Sequence, residues 1–233
     1  MSKRTKENNK KQRRIGAIEE VENRYYIFSE GSNTEPLYFG GFKKSIESNA
    51  VYRHSVQLIP IGTGRETINV VREAEKYIKQ HKITKGEVWC LYDKDDFPAD
   101  QFDAASRYVD ELNVSNTNPE LSYHAAWSNE CVEYWFVLHF SYYIANNHRK
   151  QYEEYLDKVF REHGKEKYKK TDPLIWETLL EIGNPQNALR YADRQLQKFA
   201  GQRDSDSAPA TKVHHLVRKL IPYLPEAAKS HFE

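Results

Sequence analysis

The chain has 233 residues, of which 39% are hydrophobic and 30% charged, which suits a folded protein with a real core and excludes wholesale disorder. The net charge is +1 but is unevenly distributed. Residues 1–14 hold seven basic residues and one acid, a net +6, so that +1 for the whole chain less +6 leaves −5 for the rest. No run of about 18 apolar residues exists, which excludes a transmembrane helix, and no apolar segment follows the basic N-terminus, so no secretory signal is expected.

The composition divides the chain into three parts. We predict a disordered basic tail over residues 1–20, an α/β core over 21–145, and a helical extension over 146–233 packed on that core. The tail is expected to be either a solvated extension or a contact for nucleic acid phosphate. Cys90 and Cys131 stand in apolar contexts and indicate buried thiols in a reducing, cytoplasmic location. Without a C-x-x-C or H-x-x-x-H pair, no zinc site is expected.

Strand and helix patterns alternate through the first 140 residues. Strands are predicted at 24–29, 54–61, 87–92 and 122–127, and helices follow them at about 34–48, 65–81, 99–112 and 130–140. This alternation implies βαβ crossovers and a mainly parallel sheet flanked by helices. Beyond it, glycine and proline breaks separate four predicted helices, at 149–163, 173–183, 185–202 and 207–221.

A polar cluster follows each of the four predicted strands. The clusters are Ser29-Glu30-Gly31, Gly62-Thr63-Gly64-Arg65, Asp93-Lys94-Asp95-Asp96 and Ser128-Asn129-Glu130. In a parallel sheet all strand carboxyl ends lie at one edge, and ligands bind in the crevice outside it. We therefore expect residues that are about 60 apart in sequence to meet in one site.

Carboxylates dominate these clusters and indicate a hard divalent cation, Mg²⁺ or Mn²⁺. Asp93 and Asp95 can share one ion or hold a pair, and with Glu30 they are the predicted catalytic residues and metal ligands. Two bound ions would stabilise both the attacking and the leaving oxygen in phosphodiester cleavage. Glu133 is a predicted further ligand. The alternative is that these are ordinary strand-end and helix-start acids that cap helices or face solvent.

The glycine-rich turn and its neighbours predict contacts to phosphate. Gly64 and Arg65, before a helix, could cradle an anion with backbone N–H groups and a guanidinium, although a plain turn is equally consistent. Lys94 and Asn129 complete the predicted phosphate-binding set, and Asn129 and Glu133 are expected four residues apart on one helical face. The sequence lacks the P-loop, dinucleotide and nucleophile-elbow motifs, so no organic cofactor site is predicted.

Taken in order, three motifs resemble the RloB family, also called AbiLii-like. They are Ser29-Glu30-Gly31 with Thr34-Glu35 and Tyr38, then Tyr92-Asp93-Lys94-Asp95-Asp96, then Ser128-Asn129-Glu130-Cys131-Val132-Glu133-Tyr134-Trp135 with Leu138-His139-Phe140. Tyr168-Lys169-Lys170 and the 208–213 segment extend the resemblance over residues 22–221. It implies a Toprim-like fold in which Glu30, Asp93 and Asp95 bind magnesium, together with a role in phage defence beside an AAA-type or ABC-type ATPase partner.

The sequence and the resemblance together predict a metal-dependent nuclease in antiviral defence. DNA, RNA and tRNA all fit the chemistry, and the oligomeric state, a homodimer included, stays open. Two other functions remain: a regulatory or toxin-like subunit that is inactive without an ATPase, and a nucleic-acid-binding module in which the basic tail binds and the acids are vestigial.

Overall fold

A computed structural model of the chain describes residues 21–233, and the predicted basic tail lies outside them. Four strands form one sheet: β1 (Asn23–Ser29), β2 (Val56–Gly62), β3 (Gly86–Leu91) and β4 (Leu121–Ala125). Their order is β2-β1-β3-β4 and every neighbouring pair is parallel. The prediction of an α/β fold built on a parallel sheet flanked by helices, with a helical C-terminal part, is confirmed.

Nine α-helices accompany the sheet in the described part of the chain. They are α1 (Thr34–Ser48), α2 (Ile68–Gln80), α3 (Ala99–Ser115), α4 (Glu133–Val137), α5 (Arg149–Glu162), α6 (Ile175–Ile182), α7 (Pro185–Gln197), α8 (Val213–Leu220) and α9 (Glu226–Lys229). The predicted start of α2 at Arg65 is wrong, because Gly64 and Thr67 have φ angles of +59° and +41°, which no right-handed helix contains.

The segment after β4 differs most from its prediction. Ser128–Asn129 form a short strand, β5, which pairs antiparallel with β6 (Ala210–Thr211). The predicted helix over 130–140 shrinks to the five residues of α4, which lacks a side-chain cap. The expectation that Asn129 and Glu133 share one helical face is therefore wrong, because backbone pairing with β6 holds Asn129 in an extended conformation.

Both faces of the sheet are covered, as βαβ connections require. Alternate residues of β1 and β3 point to opposite sides, so Tyr25 and Trp89 enter one core while Tyr26 and Val88 enter the other. Helices α2 and α3 cover the second face, whereas α1 and the helices after residue 146 share the first core with the sheet. Within residues 21–233, no helix is long and apolar enough to cross a membrane.

Candidate functional site

Two acidic residues stand where β1 and β3 end side by side. The Glu30 carboxylate accepts hydrogen bonds from the backbone N–H groups of Thr67 (3.1 Å) and Asp93 (3.5 Å). Burial raises the pKa of Glu30 although both N–H groups oppose the shift. One carboxylate thus ties together the carboxyl ends of two strands and the loop after β2, as the parallel topology predicts.

Asp93 is the centre of the acidic cluster. Burial raises the pKa of Asp93 well above its ordinary value, and the negative charges of Glu35, Glu133, Asp95 and Glu30 raise it further. The contributions of these four carboxylates show that their charges act on Asp93 at short range. The structure therefore brings together all four predicted metal-ligating residues and adds a fifth carboxylate, Glu35.

Glu35 was not predicted as a site residue. It lies in the first turn of α1, is only 4% exposed, and accepts the Gly31 N–H at 3.3 Å. Burial, together with the charges of Glu133 and Glu30, raises its pKa to about 7. A Cβ at residue 31 would lie 2.4 Å from Oε2 of Glu35, so a larger residue at position 31 would displace this carboxylate. The signal in the sequence that could have predicted Glu35 is its position five residues after Glu30. The first turn of the following helix brings such a residue back to the strand ends.

Asp95 lies on a strained backbone, with a φ of +37°, and faces a cation. Arg149, the first residue of α5, donates to Oδ2 of Asp95 at 2.7 Å and contacts exposed Asp96 at 3.4 Å. The other oxygen, Oδ1, is buried without a hydrogen-bond partner. Burial raises the pKa of Asp95 even though the charge of Arg149 lowers it. An orphaned carboxylate oxygen at this edge is available to a cation.

Glu133 is held from the helical C-terminal part. Its carboxylate is 1% exposed and accepts the Tyr168 hydroxyl at 3.0 Å, while the Lys170 ammonium lies 3.2 Å away and also contacts Glu153 at 3.0 Å. Burial would lower the pKa of Lys170, but the charges of Glu133 and Glu153 raise it above its ordinary value. Lys170 and Arg149 are therefore the cations of this site, and neither was predicted as a site residue.

The predicted phosphate-binding residues divide into two groups. Gly64 and Arg65 are exposed in the loop that ends at Thr67, beside Glu30, and space is open around Gly64. The ammonium of Lys94 instead contacts the backbone carbonyls of Asp95 and Phe97. Only the glycine-rich loop thus leaves its groups accessible to a phosphate.

Asn129 does not face the carboxylates through its amide. It is 4% exposed, and its Nδ2 donates to the carbonyls of Asp204 (3.3 Å) and Ser205 (3.1 Å). This amide fixes the segment before β6 against β5. His139, which the family motif includes, is buried with Nδ1 3.0 Å from the Trp135 carbonyl, and burial lowers its pKa to about 4.

The donor set at the sheet edge fits a hard divalent cation. It consists of carboxylate oxygens, one of which has no hydrogen-bond partner. Repulsion between these carboxylates raises the pKa of Asp93, and a bound cation would relieve that repulsion. In the described chain these acids do not place three ligand atoms within 4.8 Å of one another. Mg²⁺ keeps several water ligands and contacts few protein groups directly, so such a spread is compatible with it.

Comparison with known proteins gives a family. No curated protein and no solved structure matches the chain. The family model described as RloB-like protein matches residues 25–220, which include most of β1, the acidic cluster around Asp93, and α8. Since that match spans most of the chain, the protein belongs to the RloB-like family.

Proposed function

We propose that this RloB-like protein is a metal-dependent nuclease that hydrolyses phosphodiester bonds of DNA or RNA, tRNA included, in antiviral defence. The observation that carries the proposal is the position of Asp93 at the carboxyl edge of a parallel sheet, among four other carboxylates that raise its pKa. Buried like charges are costly unless a proton or a cation neutralises them. Perturbed carboxylates gathered at a strand edge are typical of active sites.

Glu30, Asp93, Asp95 and Glu133 would hold Mg²⁺ or Mn²⁺, with Glu35 as an additional carboxylate. A bound ion supplies positive charge to the scissile phosphate and favours ionisation of a bound water. The protein's own residues do the rest. Glu30, fixed by two backbone N–H groups and with a raised pKa, is placed to exchange a proton as general acid or base. Arg65 in the exposed loop, and Arg149 beside Asp95, would supply guanidinium groups to the phosphate.

Neutralising Asp95 tests the proposal most directly. Asp95→Asn should abolish cleavage, because the variant removes a partly buried charge from the site while preserving side-chain size. Asp96→Asn is the matched control, since Asp96 is the next residue, meets the same arginine and has 78% of its side chain exposed. We expect Asp96→Asn to retain nearly all activity. The measurement is cleavage of DNA, RNA and tRNA substrates by both purified variants in Mg²⁺ and in chelator.

Cleavage by Asp95→Asn at the wild-type rate would contradict the assignment. So would wild-type activity that is indifferent to a chelator. Circular dichroism of both variants shows whether folding is preserved, and Asp93→Asn repeats the test at the centre of the cluster.

A second candidate function is favoured by the two cations. Arg149 forms an ion pair with Asp95, and Lys170 forms one with Glu133. Side chains of the helical part therefore already neutralise two predicted metal ligands. A regulatory subunit that stays inactive until an ATPase partner moves these helices would show this arrangement. Nuclease activity that requires both proteins would support this function, and full activity of the chain alone would exclude it.

The place of action is proposed to be the cytoplasm. Cys90 and Cys131 are both buried and free, and burial raises the pKa of both thiols. Protonated, inaccessible thiols are compatible with a reducing compartment. Such a compartment is where the protein would meet phage or host nucleic acid.

A further inference from the structure

A buried histidine outside the acidic cluster lacks the partners that buried polar groups normally have. His214, in the first turn of α8, is 0% exposed, and neither of its ring nitrogens has a hydrogen-bond partner. Such groups are rare in native proteins, and a bound ion is one cause that accounts for them. Nε2 of His214 lies 3.1 Å from Oδ1 of Asp193 on α7, without the alignment of a hydrogen bond.

Two further ligands stand beside this histidine. His215 is the next residue of α8 and its ring centre lies 4.2 Å from that of His214. Within the described residues, Asp193, His214 and His215 form the one set of three ligand-type side chains whose donor atoms all lie within 4.8 Å of one another. His215 is exposed, so an ion can enter from solvent.

The set has the chemistry of a transition-metal site. Imidazole nitrogen and carboxylate oxygen are ordinary zinc ligands, and three protein ligands with a water complete a tetrahedron. Ligand atoms about 2.1 Å from one zinc ion lie at most about 4.2 Å apart, so a small rotation of the exposed His215 side chain closes the set. We propose that Asp193, His214 and His215 bind an ion of the Zn²⁺ class that links α7 to α8.

Arg218 is the competing partner of Asp193. Its guanidinium contacts both carboxylate oxygens, with Nη1 at 2.7 Å from Oδ1. A carboxylate has about four lone-pair sites and can accept a bidentate arginine while retaining two. Arg218 then acts as the group that orients the metal-binding carboxylate, an arrangement common around bound metals.

Zinc binding by the full chain tests the site. The protein is dialysed against Zn²⁺ in excess Mg²⁺, which competes with zinc for the carboxylates of the acidic cluster, and protein-bound zinc is measured. We expect one zinc ion per chain, the visible absorption of a tetrahedral complex when Co²⁺ replaces Zn²⁺, and a rise in Tm with added Zn²⁺. His215→Ala should lower zinc affinity by about tenfold or more and remove the Tm shift.

His54→Ala is the matched control, since His54 is an exposed histidine on the turn before β2. It should bind zinc like the wild type. Because His214 is buried and its replacement could prevent folding, the decisive variants are His215→Ala and Asp193→Asn at partly exposed positions. The proposal is overturned if the wild type binds no zinc in excess Mg²⁺, or if both variants bind it as tightly as the wild type.

Discussion

Glu35 is a buried acid that faces other carboxylates, Glu133 and Glu30, so its ionisation has a cost. Its pKa is raised from 4.5 to about 7, so between these values the native state holds a proton that the unfolded chain has lost. The free energy of unfolding therefore increases as the pH is lowered from about 7 toward 4.5. Asp93, whose pKa is raised as well, acts in the same direction.

Replacing Glu35 by glutamine should stabilise the protein at about pH 8, where the native carboxylate is charged, by on the order of a few kcal/mol. At about pH 5 the gain should nearly vanish, because the buried acid is then protonated in the wild type too. Denaturant unfolding of both proteins at the two pH values measures the difference. A pH-independent effect would show that the charge of Glu35 is not the cause.

The positions of individual residues relative to the predicted strands were enough to predict part of the acidic cluster. Glu30 follows β1 directly, and Asp93 and Asp95 come within four residues of the end of β3. Because parallel strands end at one edge, the topology alone predicts that these residues meet. Lys170 and Tyr168 reach Glu133 only through the packing of the helical part, which no local pattern encodes. For the same reason the sequence did not predict that Asp193 and His214 are neighbours, since they lie on two different helices, α7 and α8.

At the scale of the element, α1 packs closely on α6 through a glycine. A Cβ on Gly41 would lie 2.4 Å from Cβ of Trp176, whereas a Cβ on Gly40 has no heavy atom within 4 Å. Phe42 adds an aromatic contact, with its ring centre 5.2 Å from that of Trp176. The two adjacent glycines thus have different roles: Gly41 permits helix contact, and Gly40 carries only the conformational cost of glycine within a helix.

Alanine at these positions should therefore change stability in opposite directions. Gly41→Ala is expected to destabilise the fold by about 1–3 kcal/mol, because α6 must move away from α1. Gly40→Ala should stabilise it by up to about 1 kcal/mol. Chemical denaturation of the two single variants is the measurement. Equal effects would mean that the contact with Trp176 does not limit the packing.

Another element shows where local patterns fail. The sequence around Asn129 predicts a helix start, because Ser and Asn are preferred caps. In the structure Asn129 pairs with Ala210, which lies far along the chain in β6, and the amide of Asn129 binds the carbonyls of Asp204 and Ser205. A strand of two residues has no periodicity of its own, so only the tertiary pairing defines it.

For the molecule as a whole, charge is divided between the N-terminal segment and the folded part. If residues 1–14, with a net charge of +6, contact phosphates, their removal should weaken nucleic acid binding and its salt dependence together. Each phosphate contact that the truncation removes should reduce the slope of log K against log salt by about 0.7–0.9. Binding of a labelled RNA and a labelled DNA by Asp95→Asn with and without residues 1–14, in chelator, measures this.

An unchanged slope after truncation would assign the binding to the folded part and leave the segment as a solvated extension. Loss of all binding after truncation, when the assay is repeated in Mg²⁺ as well as in chelator, would instead favour the nucleic-acid-binding module over the nuclease.

The parallel sheet was predictable because strands and helices alternate with the lengths that βαβ units need. The strand order was not, since it depends on which helices cover which face. Trp135 of α4 shows which helices share one of these faces. It is fully buried and donates to the Tyr38 hydroxyl of α1 at 3.0 Å, and the same core contains Leu156 of α5.

The sheet also constrains how copies of the protein could assemble. β2 is an outer strand, paired only with β1, and it carries Pro60 near its middle, opposite Ile27. Proline cannot donate a backbone hydrogen bond, and outer strands that contain it are poor templates for another strand. The fold therefore protects this side of the sheet against edge-to-edge aggregation, so that of the two outer strands only β4 lacks a proline.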